Sequence, residues 1–402
     1  MCYVGIDWAD QKHDVCIMAE DGQVLSEFEI DHNLKGFERL GKRLEALDDI
    51  RVNIERPDGL LVGWLAHRDY AIHVIPPNVL HHRRPRRSKD DRGDAFLLAH
   101  LLRIGDPECR PLNNQSDIIE ELRQLLQAYD GILQEQRRLG NRLVALLKQY
   151  YPAALKAFCQ PYRLIALAFI EKYPTPEAAR TATPDDLAEF LRENNYSGRS
   201  RDQKMAELYE FLQMPEPQAA VQTGFVRHVQ VLIPLLRSIY RSRYTLEKEI
   251  VDLAQTHPDA VWWQQFPGSQ KLTMARLLAW VGDDRDRFPD VKVFQAVAGT
   301  VPVTRRSGKS KSVEFRTACS HKLRKAVDDF ARQSKKKGGW ARSYYNSQRA
   351  RGHGAVRSYR ALGNRWLSII WKLWQSGESY DEQIHLANRA NKGQQSSMQR
   401  AG

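Results

Sequence analysis

The sequence predicts an α/β plus α protein: a mixed-sheet N-terminal domain, a long helical arm and a mainly helical, basic C-terminal domain. Three observations predict it. Apolar runs of period two, joined by an Asp-Gly pair, open the chain and then alternate with helical patterns. Two very long amphipathic stretches follow, neither interrupted by glycine-rich turns. The positive charge then collects towards the C-terminus.

Tyr3-Val4-Gly5-Ile6-Asp7 reads as a first strand, Val15 to Ala19 as a second and Val24 to Ile30 as a third. Asp21-Gly22 between the last two is a hairpin signal. Leu34, Phe37, Leu40, Leu44 and Leu47 share one face of a helix over 34–47. A strand at 51–55, a helix near 59–67, a strand at 71–75 and a helix from Asp91 to Leu102 complete a mixed α/β domain over residues 1–105. Gly105-Asp106-Pro107 breaks the pattern. Leucines at 122, 125, 126, 133, 139, 143, 146 and 147 mark a helix from Asp117 to Tyr150, which Pro152 stops. Val229, Leu232, Leu235, Leu236, Ile239 and Leu246 mark a second long helix over 222–255. Two such helices predict an antiparallel hairpin or coiled-coil arm over 106–255, with short helices inserted. A basic helical domain is expected over 256–380 and a disordered tail over 381–402.

Length and composition narrow the function. The 402 residues suggest two or three domains at roughly 150 residues each. Hydrophobic residues at 42% and charged residues at 27% exclude a chain disordered throughout. No apolar run approaches the roughly 18 residues of a membrane span. The start, Met1 to Asp7, lacks the basic and apolar regions of a secretory signal, so a cytoplasmic, nucleoid-associated protein is expected. Five scattered cysteines with no CxxC pair give neither a disulfide framework nor a zinc knuckle.

Charge is uneven. Residues 301–360 hold 17 Lys plus Arg against Glu314, Asp328 and Asp329, a balance of +14 that exceeds the whole chain's +12. A second patch is Arg83, Arg84, Arg86, Arg87 and Lys89. One basic run is usually a solvated face; two patches in one chain favour a polyanion partner, here nucleic acid. Trp340, Tyr344, Tyr345 and Tyr359 interleave the basic stretch, and their helical spacing favours core over base stacking. Trp366, Ile369, Ile370, Leu373 and Trp374 form a packing stripe on a last helix.

Four acids are candidate metal ligands. Asp7 and Glu55 end strands, and Asp91 and Asp94 lie three apart at a helix start, on one side. Carboxylates so placed can hold two Mg²⁺ ions about 4 Å apart, the arrangement that stabilises attacking and leaving oxygens in phosphodiester chemistry. Each acid has another reading. Asp7 can start a turn, Glu55 can pair with Arg56, and Asp91 and Asp94 can favour the positive end of a helix.

Tyr3-Val4-Gly5-Ile6-Asp7, Asn53-Ile54-Glu55 and Lys89-Asp90-Asp91-Arg92-Gly93-Asp94-Ala95 together resemble the N-terminal domain of DEDD-type insertion-sequence transposases, the IS one-ten family. That resemblance implies a RuvC-like, RNase H-like first domain with its acids at Asp7, Glu55, Asp91 and Asp94. A second stretch, Phe266-Pro267-Gly268 and then Ala298-Gly299-Thr300-Val301-Pro302 to Ser307-Gly308-Lys309, resembles the family's C-terminal domain. In that family the serine of Ser-Gly is the nucleophile, a role that the resemblance carries to Ser307. Arg305, Arg306, Lys309 and Lys311 surround it with phosphate-binding cations. From the residues alone a turn serine in a basic loop is the commoner reading of Ser307, and Ser310 and Ser312 are rivals. The family's Lys-x-Gly-Asn string is absent here; Ala318-Cys319-Ser320-His321-Lys322 stands in its place.

The resemblance implies a recombinase that cuts and rejoins DNA with Mg²⁺ and a serine, guided by an element-encoded structured RNA and working as a dimer or tetramer. Three other readings stay open. A RuvC-like nuclease or junction resolvase would use the same acids and water. An actin-like kinase is suggested by Gly-Ile-Asp alone, without the later glycine-rich phosphate loops. A non-catalytic nucleic-acid binder would need the charge pattern alone.

Overall fold

The computed structural model describes residues 1–402 except 85–90, 113–114, 159, 161, 197–200, 213–221, 308–309, 385 and 387–402. Of Asn78, Asp91, Arg201, Phe211, Leu212, Ser307 and Lys311 it describes the backbone. Residues 385 and 387–402, most of the expected tail, thus lie outside the description. The chain divides into two compact units, Met1–Asn114 and Gln115–Gly402.

In the first unit the elements run β1 (Cys2–Asp7), β2 (Lys12–Ala19), β3 (Val24–Asp31), α1 (Leu34–Leu44), β4 (Ile50–Ile54), α2 (Leu60–Ala66), β5 (Ala71–Val74), α3 (Pro77–Arg83), α4 (Asp91–Arg103) and β6 (Arg110–Pro111). The sheet order is β3-β2-β1-β4-β5-β6. β1, β4 and β5 are parallel to one another, and β2, β3 and β6 pair antiparallel with their neighbours. Strand alternation sorts the side chains into two layers. Val4, Ile6, Val15, Ile17, Val52 and Ile54 pack against Phe37, Leu40 and Leu44 of α1 and Leu61 and Leu65 of α2. On the other face, Cys16 and Met18 pack against Ala95 and Ala99 of α4. Asn33 caps α1 by accepting from the Gly36 amide at 2.9 Å. The mixed six-stranded sheet with flanking helices is the RNase H-like fold that the sequence predicts. β6 is the element it does not predict: two residues, one a proline, carry no periodicity, and only the pairing of His73 with Pro111 and Val74 with Arg110 defines the strand.

The second unit is mostly helical. α5 (Asp117–Tyr150) and α11 (Gln222–Thr256) are the two long helices; between them lie α6 (Pro152–Ala157), α7 (Leu164–Lys172), α8 (Pro176–Arg180), α9 (Pro184–Glu193) and α10 (Arg201–Leu212). α12 (Ala260–Gln264), α13 (Leu272–Val281), α14 (Val291–Val297), a hairpin of β7 (Val303–Ser307) and β8 (Ser310–Glu314), α15 (His321–Lys337), α16 (Gly339–Ala350) and α17 (Ala355–Ser376) follow. The long helices are antiparallel. Tyr129 donates to Glu247 at 3.0 Å, and further along α5 Tyr150 stacks on Phe225, near the start of α11, at 5.8 Å. At one end of this pair Leu143, Leu147, Phe169, Phe190, Leu232 and Leu236 form one core. At the other, Leu122, Trp263, Phe330, Trp366 and Trp374 form a second. Asp130 on α5 ties the arm to that core, accepting from Arg276 at 2.6 Å and Lys325 at 2.8 Å. Trp340 and Tyr345 are buried there, and Tyr344 and Tyr359 pack against it. No helix among the described residues is long and apolar enough to cross a membrane.

Candidate active site

The geometry of the acids follows from strand register. β1 and β4 pair Gly5 with Asn53 and Ile6 with Ile54. Asp7, the last residue of β1, and Glu55, the first after β4, therefore come at one end of neighbouring strands. Gly5 and Asp7 alternate with Val4 and Ile6, so they belong to the face that α4 covers.

α4 lies very close to that face. A Cβ at Gly5 would stand 2.0 Å from the Ala95 carbonyl oxygen and 2.4 Å from the Ala99 amide nitrogen. Only glycine admits the helix backbone at this distance. Asn53, fully buried, holds the same helix: its Nδ2 donates to the Leu98 carbonyl at 2.9 Å and to Cys109 Sγ at 3.3 Å, while its Oδ1 is buried without a partner among the described residues. Burial pushes the Cys109 thiol up to about 11, so it remains a neutral hydrogen-bonding partner. Asp94 immediately precedes Ala95. Asp94, 2% exposed, thus lies on the helix seated against the strand that ends in Asp7, 7% exposed.

A cation already occupies Asp94. Arg84 Nε donates to its Oδ1 at 2.6 Å and Arg84 Nη2 to its Oδ2 at 2.5 Å, a bidentate pair with both partners largely enclosed. Arg83 pairs with Asp106 at 3.1 Å. Asp91 opens α4 one turn before Asp94, and its side chain lies outside the description. Among the described residues no three His, Cys, Asp or Glu side chains stand close enough together to hold a metal ion. The donor set is nonetheless suited to a hard divalent cation, because it consists of carboxylate oxygens in a partly dry site. The structure adds one carboxylate that sequence reasoning missed. Asp14 of β2 lies directly opposite Asp7 in register, on the same face, and is half-buried. No turn signal gives it away, since the Asp21-Gly22 hairpin fixes β2 against β3 and not β2 against β1.

A histidine pair sits at the same end of the sheet, on the other face. His13 is fully buried; its Nδ1 accepts from the Ala9 amide at 3.2 Å and its Nε2 lies 2.8 Å from His32 Nδ1. Burial, with the neighbouring His32, lowers His13 to about 4.

In the second unit, Ser307 is the last residue of β7 and pairs with Ser310, the first of β8. Ser307 and Ser310 therefore end the two arms of an antiparallel hairpin, in which Val303 to Ser307 pair with Ser310 to Glu314 in matched register. The side chains of Ser307 and Lys311 lie outside the description, as do Lys309 and, in the first unit, Arg86, Arg87 and Lys89. Arg305 Nε lies 3.1 Å from Glu314, and Arg306 is exposed. Ser312 donates to Glu314 at 3.2 Å.

Comparison with known proteins assigns the chain. Residues 4–152 match the model of the DEDD transposase domain of IS110 elements, and residues 263–346 match the transposase model of the IS116/IS110/IS902 family. A Streptomyces coelicolor protein, named as a transposase candidate of the IS117 mini-circle, is 30% identical over 96% of each chain. The 43.6 kDa protein of insertion element IS110 from the same species, named as uncharacterised, is 26% identical over 75% of this chain and 74% of its own. A 42 kDa protein of insertion element IS900 from Mycobacterium paratuberculosis, also named as uncharacterised, is 25% identical over 80% and 81%. Both signature regions occur in the order that the motifs predict. The chain belongs to the IS110 family of transposases, DNA-binding enzymes whose DEDD domain works with a divalent metal.

Proposed function

We propose that this transposase cuts and rejoins DNA with Mg²⁺ held by Asp7, Glu55, Asp91 and Asp94 and with Ser307 as nucleophile. What supports the metal half is the register of β1 on β4, which ends Asp7 and Glu55 on neighbouring strands, and the seating of α4, the helix of Asp94, on Gly5. Two ions bound there would polarise the scissile phosphodiester and stabilise its leaving oxygen. Holding them requires Asp94 to exchange the Arg84 guanidinium for metal, and Arg84 is then free to meet a phosphate.

The serine half rests on the family's pattern and on the strand-end position of Ser307. Its Oγ attacks the phosphorus, the P–O3′ bond breaks, the 3′-oxygen leaves as a hydroxyl with the proton, and the 5′-phosphate stays on Ser307. A second 3′-hydroxyl then attacks that phosphoserine, joining strands and returning the proton to the serine. We divide the chain into a catalytic domain over 1–105, an arm over 106–255, a C-terminal domain over 256–380 and a tail. Guidance by an element-encoded RNA, with residues 83–89 and the arm as its surface, and assembly as a dimer or tetramer complete the proposal.

A second reading, hydrolysis by water, is favoured by all four acids lying in the first unit. Strand cleavage of element-end DNA, with the element's own transcript and Mg²⁺, separates these ideas. Asp7→Ala abolishes cleavage in both and leaves DNA binding; retained cleavage would refute the metal assignment. Ser307→Ala abolishes it in the first reading alone.

A further inference from the structure

At the foot of the serine hairpin, guanidiniums collect around one phenylalanine. Phe315 follows β8 directly and is 45% exposed. Arg324 Cζ lies 4.4 Å from its ring centroid and Arg360 Cζ 4.1 Å. Such cation–π contacts hold the two planes in fixed orientation. The Nε of Arg316, of Arg324 and of Arg360 are each buried with no acceptor among the described residues. Arg324 Nη2 donates to the Arg316 carbonyl, which fixes it further. Gly299, from the Ala-Gly-x-x-Pro stretch, makes room for this group. Its φ is +64°, and a Cβ there would stand 2.2 Å from Arg324 Nη2 and 2.7 Å from Arg324 Nε.

A cleft of about 490 Å³ opens beside this cluster, with Glu314, Phe315, Tyr344, Arg357 and Arg360 in its wall. The acids nearby do not neutralise it. Glu314 is taken by Arg305. Asp328 feels Arg360, Arg332 and Arg324, yet burial is the largest influence on it and raises its affinity for a proton. Burial, with the neighbouring Arg324, lowers Arg360 from the ordinary arginine range despite the charge of Asp328. Guanidinium nitrogens buried without an acceptor are unfavourable unless an anion arrives from outside.

We propose that this cleft binds one backbone phosphate of the DNA strand, contacted by Arg360 and Arg357, with Arg324, Phe315 and Gly299 as positioning groups. The site deepens the reading of Ser307 as nucleophile and rests on it for one statement alone, the distance to the scissile bond. Four residues of β8 separate Ser310 from Glu314, roughly 13 Å at 3.3 Å per residue. That is about four base-pair rises of duplex DNA. The cleft therefore clamps a phosphate a few nucleotides from the cut rather than the reacting one.

Methylphosphonate scanning tests this. Element-end duplexes, each carrying one uncharged methylphosphonate, are bound to the full-length protein and read by fluorescence anisotropy. Wild type is expected to lose roughly tenfold in affinity at one position about four nucleotides from the cut, and Arg360→Gln to lose nothing further there. Arg357→Gln, at an exposed position that leaves the fold intact, should blunt the same position partially and lower the salt slope by about one. Variants that respond to every methylphosphonate as wild type does would overturn the site, as would sensitivity confined to RNA strands. A missing covalent adduct with unchanged scanning would instead count against Ser307 and leave the phosphate site standing.

Discussion

Gly5→Ala tests how tightly the acids are set. The added Cβ would lie 2.0 Å from the Ala95 carbonyl oxygen, whereas ordinary contact begins near 3.4 Å. The obstructing atoms are backbone, so no rotamer change relieves them, and α4 must retreat from β1 by about 1.4 Å if it moves alone. Asp94 moves with Ala95, and the Asn53 bond to Leu98, 2.9 Å in the native chain, stretches past hydrogen-bond range. Overpacking of this kind costs about 1–3 kcal/mol. A displacement of about 1 Å at a reacting centre can cost on the order of 10²-fold in rate. Gly5→Ala should therefore cut Mg²⁺-dependent cleavage by on the order of 100-fold at a temperature where circular dichroism still reports the folded chain. Cleavage within about threefold of wild type, with an unchanged urea midpoint, would refute the close seating of α4. Unchanged cleavage with lowered stability would refute the claim that the acids need this spacing.

Other perturbations probe neighbouring parts of the account. Arg84→Gln strips Asp94 of its bidentate partner and should destabilise the metal-free protein by about 3 kcal/mol, the range for breaking an enclosed pair. Added Mg²⁺ should raise the melting temperature of that variant more than that of wild type, and equal shifts would argue against Asp94 as a ligand. Asp14→Asn should raise the Mg²⁺ concentration for half-maximal cleavage by roughly tenfold, read from a metal titration, whereas an unchanged titration would exclude Asp14 from the centre. His13, lowered from 6.5 to about 4 when folded, binds its proton in the unfolded chain first, so stability falls as pH drops through that window. At pH 5 the loss from this group is about 2 kcal/mol relative to pH 7, and His13→Gln should flatten that part of a urea-unfolding pH series.

Much of the first unit was legible because its signals are local. Alternation, the Asp21-Gly22 turn and the 34–47 periodicity fix the strands and α1 without tertiary information. The four acids were legible as residues, since Asp7, Glu55, Asp91 and Asp94 sit where strands end and a helix begins. Their company was not. Asp14 reaches Asp7 only through β1–β2 register, and Arg84 reaches Asp94 only through the return of the chain after α3. β6 has too few residues to show a period. In the second unit, the long leucine-rich helices announced themselves, and their antiparallel sense then followed from pairs such as Tyr129 with Glu247. The serine stretch reads as loop because Ser, Gly, Lys and Arg are weak strand formers, and the hairpin arises from backbone pairing between its arms rather than from apolar alternation. Arg324 and Arg360 were lost among many basic residues, for no spacing reveals that the two converge on one ring.

Covalent trapping bears most directly on the central claim. Labelled element-end DNA is incubated with the full-length protein, Mg²⁺ and the element's transcript, then resolved on a denaturing gel beside Ser307→Ala. The account predicts a protein–DNA adduct in wild type, acid-stable as a phosphoserine ester and absent from Ser307→Ala. Cleaved DNA without an adduct, made equally by both proteins, would contradict it.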